Sequence, residues 1–287
     1  MSNNIEKETT FPTGKPHISF SEVRIWKECS WKHKLTYVDK LSEFEVGIYT
    51  EYGSILHESI ENYLNTRVMD IEGAKKKLDE SWQKHGFDKV EMIEERQLIS
   101  ESQGWKYRHN YIKDWKQWCE NSLSDLPAYL DEGFPEWEVV SAEETLYEKI
   151  PNNELSFKGF IDCVLKFKKN GKDKYAIIDW KTAGARGWDR RKSTDIKTTA
   201  QLTLYKHYWS TKHNVPLKDI ECHFVLLKRG TKKGKVCKTV SVSAGPKSIE
   251  KANKLVNDML AGVSNRFFLK NRTACKFCPF KDTESCK

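Results

Sequence analysis

Two aspartates lie in apolar stretches rich in β-forming residues, Asp162 in FKGFIDCVLKF and Asp179 in KYAIIDWKTA. Lys181 follows Asp179 by two, and residues two apart on a strand share a face. If Asn170-Gly171 closes a hairpin between the stretches, the two acids stand on adjacent strands and converge on one ion. Mg²⁺ prefers such oxygen ligands and keeps several waters. The chemistry these residues suit is phosphodiester hydrolysis. A bound divalent ion supplies an activated water and neutralises charge on the phosphate. A lysine beside it orients that water or stabilises the developing charge.

Asp-x-Lys alone is weak, because the chain contains it three times, at 114–116, 179–181 and 195–197. Only the second ends an apolar strand with another acid on the strand before; the bland alternative is a frayed strand end. One strand earlier, Glu143 and Glu144 compete for a place at the site. Alternation admits one of them, and Glu144, two before the apolar Leu146, is chosen as an auxiliary ligand. His57 stands one step off the stripe Leu56, Ile60, Tyr63 and Leu64, with Glu61 a turn later. It reads as a boundary residue or as a ligand, and an imidazole ligand shifts metal preference towards Mn²⁺. Gln201 and Tyr205 are four apart and share a helix face with Tyr208. They orient Lys181 or a scissile phosphate, or they form a polar edge of the packing.

The elements that position these residues follow from periodicity. Residues 17–38 and 70–123 read as mainly helical, and a helix follows Gly53. Tyr107, Tyr111, Trp115 and Trp118 recur at helical spacing, as a core face or as a base-stacking stripe. After Pro135 come strands at 137–150, 155–167 and 174–180, a helix at 198–212, strands at 220–228 and 236–242, and a helix at 247–262. This order predicts an α+β core around one sheet. The expected division is a disordered leader 1–16, a mainly helical region 17–135, a core 136–262 and a Cys-rich tail 263–287.

Charge is uneven. The net charge is +8, but Lys181–Lys238 holds 15 Lys/Arg against 4 Asp/Glu, a net of +11 that leaves the remainder near −3. A cationic segment around the candidate site points to a polyanion. In the loop AGARGWDRRKSTDIK, Arg186, Arg190, Arg191 and Lys192 are candidates to clamp phosphates, with Trp188 stacking on a base. Lys232 and Lys233, at a Gly-bracketed hairpin tip, are a second such group. No apolar run is long enough to span a membrane, the N-terminus carries no recognisable targeting signal, and the expected location is the cytoplasm or its nucleoid.

The motifs in order, HISFSEVRIWKECSWKHKLTYV, YGSILHESIE, GFIDCV, IIDWKT and QLTLY, resemble the RecB-type branch of the PD-(D/E)XK nucleases. That branch includes AddB-type iron–sulfur nucleases, exonuclease V and the CRISPR-adaptation exonucleases. The resemblance runs from about residue 17 to the end. It implies a restriction-endonuclease-like core, a central mixed sheet flanked by helices, with an N-terminal helical elaboration and a Cys-rich tail. It also implies His57, Asp162, Asp179 and the Trp180 main-chain carbonyl as metal ligands, Lys181 at the phosphate, and Gln201 and Tyr205 in support. The implied activity is Mg²⁺- or Mn²⁺-dependent exonuclease action on DNA with single-stranded or free ends. Repair, recombination, CRISPR adaptation and phage DNA processing are the candidate pathways. No phosphate-binding loop is present, so unwinding would fall to a helicase or another recombination or adaptation partner. A restriction-type endonuclease and a non-catalytic DNA-binding module are the alternatives.

Of eight cysteines, Cys119, Cys163, Cys222 and Cys237 fall inside apparent helices or strands as ordinary thiols. Cys275-Lys-Phe-Cys278 is a C-x-x-C knuckle, with Cys286 after seven more residues and Cys29 near the other end. In the resembling iron–sulfur nucleases such a split set holds a four-iron four-sulfur cluster as a staple, and Cys278-Pro279 fits that tail. The last gap departs from the five residues expected there. Zn²⁺ on four thiolates and free thiols are the other readings.

Overall fold

Val, Ile, Phe and Tyr dominate residues 138–183, and the chain there folds back on itself twice. The computed structural model describes residues 11–41, 46–89, 94 and 111–287. In it β2 (Glu138–Lys149), β3 (Ser156–Lys169) and β4 (Lys172–Ala183) form an antiparallel meander. The β3–β4 turn is the expected Asn170-Gly171, with both residues at positive φ (53° and 72°), as tight hairpin turns require. β5 (Ile220–Lys228) runs parallel to β4, β6 (Cys237–Ser241) antiparallel to β5, and β1 (His17–Ser19) parallel to the start of β3. The outcome is a six-stranded mixed sheet with helices on both faces, the α+β architecture predicted.

Over one face lie α1 (Phe20–Glu28), α7 (Ile196–His213) and α8 (Pro246–Ser264), which close a core with Phe157, Ile161, Ile177 and Phe224. Over the other lies α3 (Ile48–Thr66), backed by α4 (Ile71–His85) and α5 (Tyr111–Gly133), with Ile178, Trp180, Val225 and Trp82 in its core. The short α2 (Ser30–His33) and a π-helical turn (Lys34–Val38) follow α1, and α6 (Arg190–Thr194) precedes α7.

Two expectations change here. Residues 11–16 are not a loose leader, because Phe11 and Thr13 are buried and Phe11 joins the α1 core; residues 1–10 lie outside the described chain. The region 17–135 also contributes a strand. Three residues are too few for alternation to show, and Ser19 serves at once as the end of β1 and the cap of α1, accepting from Glu22 N–H at 3.3 Å. Of the aromatic stripe, Trp115 packs in the core against Tyr52 and Trp82, so it is a core face; Tyr107 lies outside the described residues.

β2 occupies one edge of β3 from Ser156 to Lys166. The other edge is shared, with β1 pairing Ser156–Lys158 and β4 pairing Cys163–Lys169. On that second edge, between β1 and β4, Gly159–Asp162 faces no strand among the described residues. Tyr205 of α7 approaches there so closely that a Cβ on Gly159 would lie 2.6 Å from its ring. Tyr205 is itself 5% exposed and cannot swing aside. Gly159→Ala is therefore expected to destabilise the protein by about 1–3 kcal/mol through overpacking, read as a melting temperature several degrees lower; an unchanged melting temperature would show that the ring is free to move.

Candidate functional site

Strand pairing between β3 and β4 ends at Cys163↔Ile178, and beyond it the strands part. Asp162 bridges the opening with its side chain, Oδ2 accepting the Trp180 N–H at 2.8 Å. His57 reaches the same place from α3. Its Nε2 lies 3.0 Å from the Trp180 carbonyl oxygen and its Nδ1 3.5 Å from Asp162 Oδ2. A carbonyl only accepts, so Nε2 carries the proton and the Nδ1 lone pair faces the carboxylate. Burial holds His57 below its ordinary value, which keeps it neutral and able to ligate.

The third member is Glu143. His57, Glu143 and Asp162 place their ligand atoms within 4.8 Å of one another, as no other trio does among the described residues. Glu143 falls opposite Asp162, between the pairs Ala142↔Cys163 and Glu144↔Ile161. Its φ of 53° is left-handed, a conformation that costs a non-glycine residue about 1–2 kcal/mol. Burial, then Glu61 and Asp179, push its carboxyl up. Burial and Asp179 likewise raise Asp162 well above the usual carboxylate range. Negative charge has thus accumulated with too little compensation, and a neutral imidazole and two carboxylates suit a divalent metal ion.

Glu144 is not part of this set. It shares a face with Ile161 of the α1 core and turns towards α7. Burial pushes its carboxyl up, but hydrogen bonds from Lys212, His213, Ser141 and Trp209 outweigh that and bring it down to about 2. The residue two before Leu146 faced the core with Leu146, and it was Glu143 that faced the site.

Asp179 is 1% exposed and stands outside the trio. Its Oδ2 is 2.5 Å from Lys181 Nζ, an ionic contact without aligned hydrogen-bond geometry. Burial lowers Lys181, but Asp179 and Asp162 outweigh it and hold the ammonium charged. Gln201 Nε2 donates to the Tyr205 hydroxyl at 3.3 Å, and burial, with Asp179 and Asp162, raises that phenol. The pair therefore sits beside the carboxylates, with Tyr205 wedged into the gap in β3.

Both basic loops leave the sheet at this end, since Lys181 pairs with Leu226 and Ala183 with Lys228. Arg186, Arg190, Arg191, Lys192, Lys232 and Lys233 are exposed. Trp188 differs from expectation. Its ring leans on Phe224 at 5.1 Å with Lys192 Nζ 4.5 Å away, which makes it a prop for the loop rather than an open stacking face. Arg24 on α1, which lies in the first motif but is not singled out there, stands near enough to disfavour the charge on Lys181 and Lys192.

At the opposite end of α1, Cys29, Cys275, Cys278 and Cys286 line one cavity with Lys32 and Arg272. Cys29 caps α2, its sulfur accepting from Lys32 N–H (3.5 Å) and Asn271 N–H (3.3 Å). Trp31 Nε1 donates to the Ser285 carbonyl at 3.0 Å, and Asn271 Nδ2 to that of Glu28 at 2.8 Å. The tail is sewn to the first helices through these contacts.

The sequence signature of the PD-(D/E)XK nuclease superfamily matches residues 17–285. The chain belongs to that superfamily. Its members are metal-dependent nucleases, and this nuclease carries the fold and an acidic cluster able to bind metal. It is similar in structure to a candidate exonuclease from Eubacterium rectale, with a TM-score of 0.54 at 12% identity over 98% of this chain and 94% of that one. It is less similar to the protein SSO0001, at TM-score 0.34 and 13% identity over 91% and 93%. No curated protein sequence matches it.

Substitution separates the neighbouring glutamates. Glu143→Gln is expected to cut metal-dependent hydrolysis at least about tenfold, while the metal-free melting temperature stays level or rises, because a costly charge is removed. Glu144→Gln should lower the melting temperature at neutral pH by the equivalent of roughly 1.5–3 kcal/mol and spare activity. Glu144 is held below its unfolded value, so its contribution is present above about 4.5 and is lost as pH falls towards 2; the thermal deficit should shrink over that span. Equal loss of activity in both variants would refute the assignment.

Proposed function

We propose that this chain is a Mg²⁺- or Mn²⁺-dependent exonuclease that hydrolyses DNA phosphodiesters from single-stranded ends. The observation that carries this reading is the half-buried trio His57, Glu143 and Asp162 beside the Lys181 ammonium, where two basic loops leave the sheet. His57, Glu143 and Asp162 would hold the ion, with Asp179 and the Trp180 carbonyl oxygen next to them. A bound ion there supplies an activated water and charge neutralisation. Lys181 stays protonated, so it stabilises charge on the phosphate and does not abstract a proton. Gln201 and Tyr205 hold the adjoining backbone in place. Arg186, Arg190, Arg191 and Lys192 on one loop, and Lys232 and Lys233 on the other, would take flanking phosphates. The similarity in fold to a candidate exonuclease agrees with action from ends.

With Mn²⁺ and end-labelled single-stranded DNA, Asp179→Ala or Lys181→Ala should slow digestion on the order of 100-fold. Digestion at the parental rate by either variant would sink the site. Closed circular single strands should survive; their cleavage would replace the exonuclease reading with an endonuclease.

For the cysteine cavity we propose a four-iron four-sulfur cluster with a structural role. Cys29, Cys275, Cys278 and Cys286 gather on one cavity, the four thiolates that such a cluster requires. Lys32 and Arg272 add positive charge beside it. Protein purified without oxygen should be brown and contain iron and acid-labile sulfide; a colourless preparation holding stoichiometric zinc would overturn the cluster.

A further inference from the structure

Asp162, Phe160 and Lys158 alternate onto one face of β3. Opposite them on β2 stand Glu143, Thr145 and Tyr147, by the pairs Thr145↔Phe160 and Tyr147↔Lys158. The reverse face of the same strands is filled by Phe157, Ile161 and Leu146 of the α1 core. The Asp162 face is open: Phe160 and Tyr147 are each 49% exposed, and Thr145 is exposed between them. Two large aromatic rings standing half in water on a sheet face, one and two steps from the candidate metal ligands, are unlike the scattered single apolar side chains of an ordinary surface.

The charge around them is positive. Lys158 Nζ lies 5.5 Å from the centre of the Phe160 ring. His17 of β1 meets the Tyr147 ring edge-on at 5.7 Å. Burial, then Lys158 and Lys15, keep His17 below its ordinary value against the pull of Glu22, so both lysines bear on this spot. Phe160 and Tyr147 are diagonal neighbours across the β2–β3 pair, about 7–8 Å apart, roughly twice the 3.4 Å rise of a stacked nucleic-acid strand. A strand laid along the stripe is stretched until its bases leave one another and each meets a ring. Open sheet faces carrying aromatic residues stack unpaired bases in this way.

We propose that Phe160 and Tyr147 form a single-stranded DNA subsite continuous with the active site, in which successive bases stack on Phe160 and then Tyr147 while Lys158 meets the backbone between them. This deepens, and rests on, the reading of the chain as a nuclease of single strands. In a duplex each base face is already covered by its stacked neighbours and parting a step costs a few kcal/mol, so the stripe favours unpaired strands.

The test uses the full-length, metal-loaded protein, with Ca²⁺ for binding and Mn²⁺ for turnover. Binding of a short fluorescein-labelled oligodeoxythymidylate is compared with hydrolysis of the p-nitrophenyl ester of thymidine 5′-phosphate, which reaches the metal site but not the stripe. Phe160→Ala and Tyr147→Ala should each weaken oligonucleotide binding about tenfold or more, within the range of one lost base stack, and leave ester hydrolysis unchanged. Phe160→Trp should bind as the parent does, and Phe160→Leu as the alanine variant does. Lys158→Ala should reduce the salt dependence of binding by about one released counterion. Parental binding by both alanine variants, or restoration by leucine as well as tryptophan, would overturn the subsite while ester hydrolysis left the nuclease reading standing. A parent that neither binds the strand nor hydrolyses the ester would overturn both. Equal weakening of ester and oligonucleotide would mean that the rings only support the site.

Discussion

A carboxylate stands where a backbone carbonyl would otherwise be. Asp162 takes the Trp180 N–H as β3 and β4 part, so the sheet opens without leaving that amide unpaired. Had the ladder continued, it would have closed the space that Tyr205 enters from one face and His57 from the other. The bridge is costly, since a second buried carboxylate, Asp179, lies close enough to push Asp162 up. Two acids in low dielectric cannot both ionise cheaply. Lys181 offsets part of that, and a divalent ion would offset what remains, so the contact that holds the strand split together also favours a bound metal.

The same logic separates two consecutive residues. Glu144 is satisfied four times over and lies at the low end of carboxylate behaviour, clamping β2 to α7. Glu143 is crowded by other acids and raised. A fully hydrogen-bonded carboxylate has little left to offer an ion, whereas an under-satisfied one held in a left-handed backbone is the one a cation would relieve. Of the pair, only the unsatisfied member joins the trio that could hold a metal ion.

That distinction explains what could be read in advance. Asp179 and Lys181 were legible because β4 alternates regularly and both residues lie on it, and the hairpin at Asn170-Gly171 brought Asp162 to the neighbouring strand as expected. Glu143 was missed because the periodic argument assumed that the acid sharing a face with Leu146 would meet the metal, when that face belongs to the core. The register shift between Val139 and Ser141 and the left-handed backbone at Glu143 leave no mark in composition. β1 escaped because three residues carry no period, and Arg24 because its place depends on how α1 crosses the sheet. By periodicity His57 was only one histidine beside an apolar stripe, and the family resemblance alone made it a candidate ligand; the contact with Trp180, 123 positions away, belongs to the tertiary fold.

The cysteine cavity and the catalytic end share α1. The helix begins at Ser19, the last residue of β1, carries Arg24 towards Lys181, and ends at Cys29. β1 in turn holds the edge of β3 just before the gap at Gly159–Asp162, and His17 on it touches the exposed Tyr147. A group bound by the four sulfurs would therefore fix one end of a short lever whose other end borders the site. Closing a loop from residue 29 to residue 275 removes much chain entropy from the unfolded state, though the gain grows only slowly with loop length. The larger consequence is positional. Without the tail, α1 keeps its apolar contacts to α7 and α8 but loses the anchor beyond Glu28, and the elements that flank the metal site are set by packing alone.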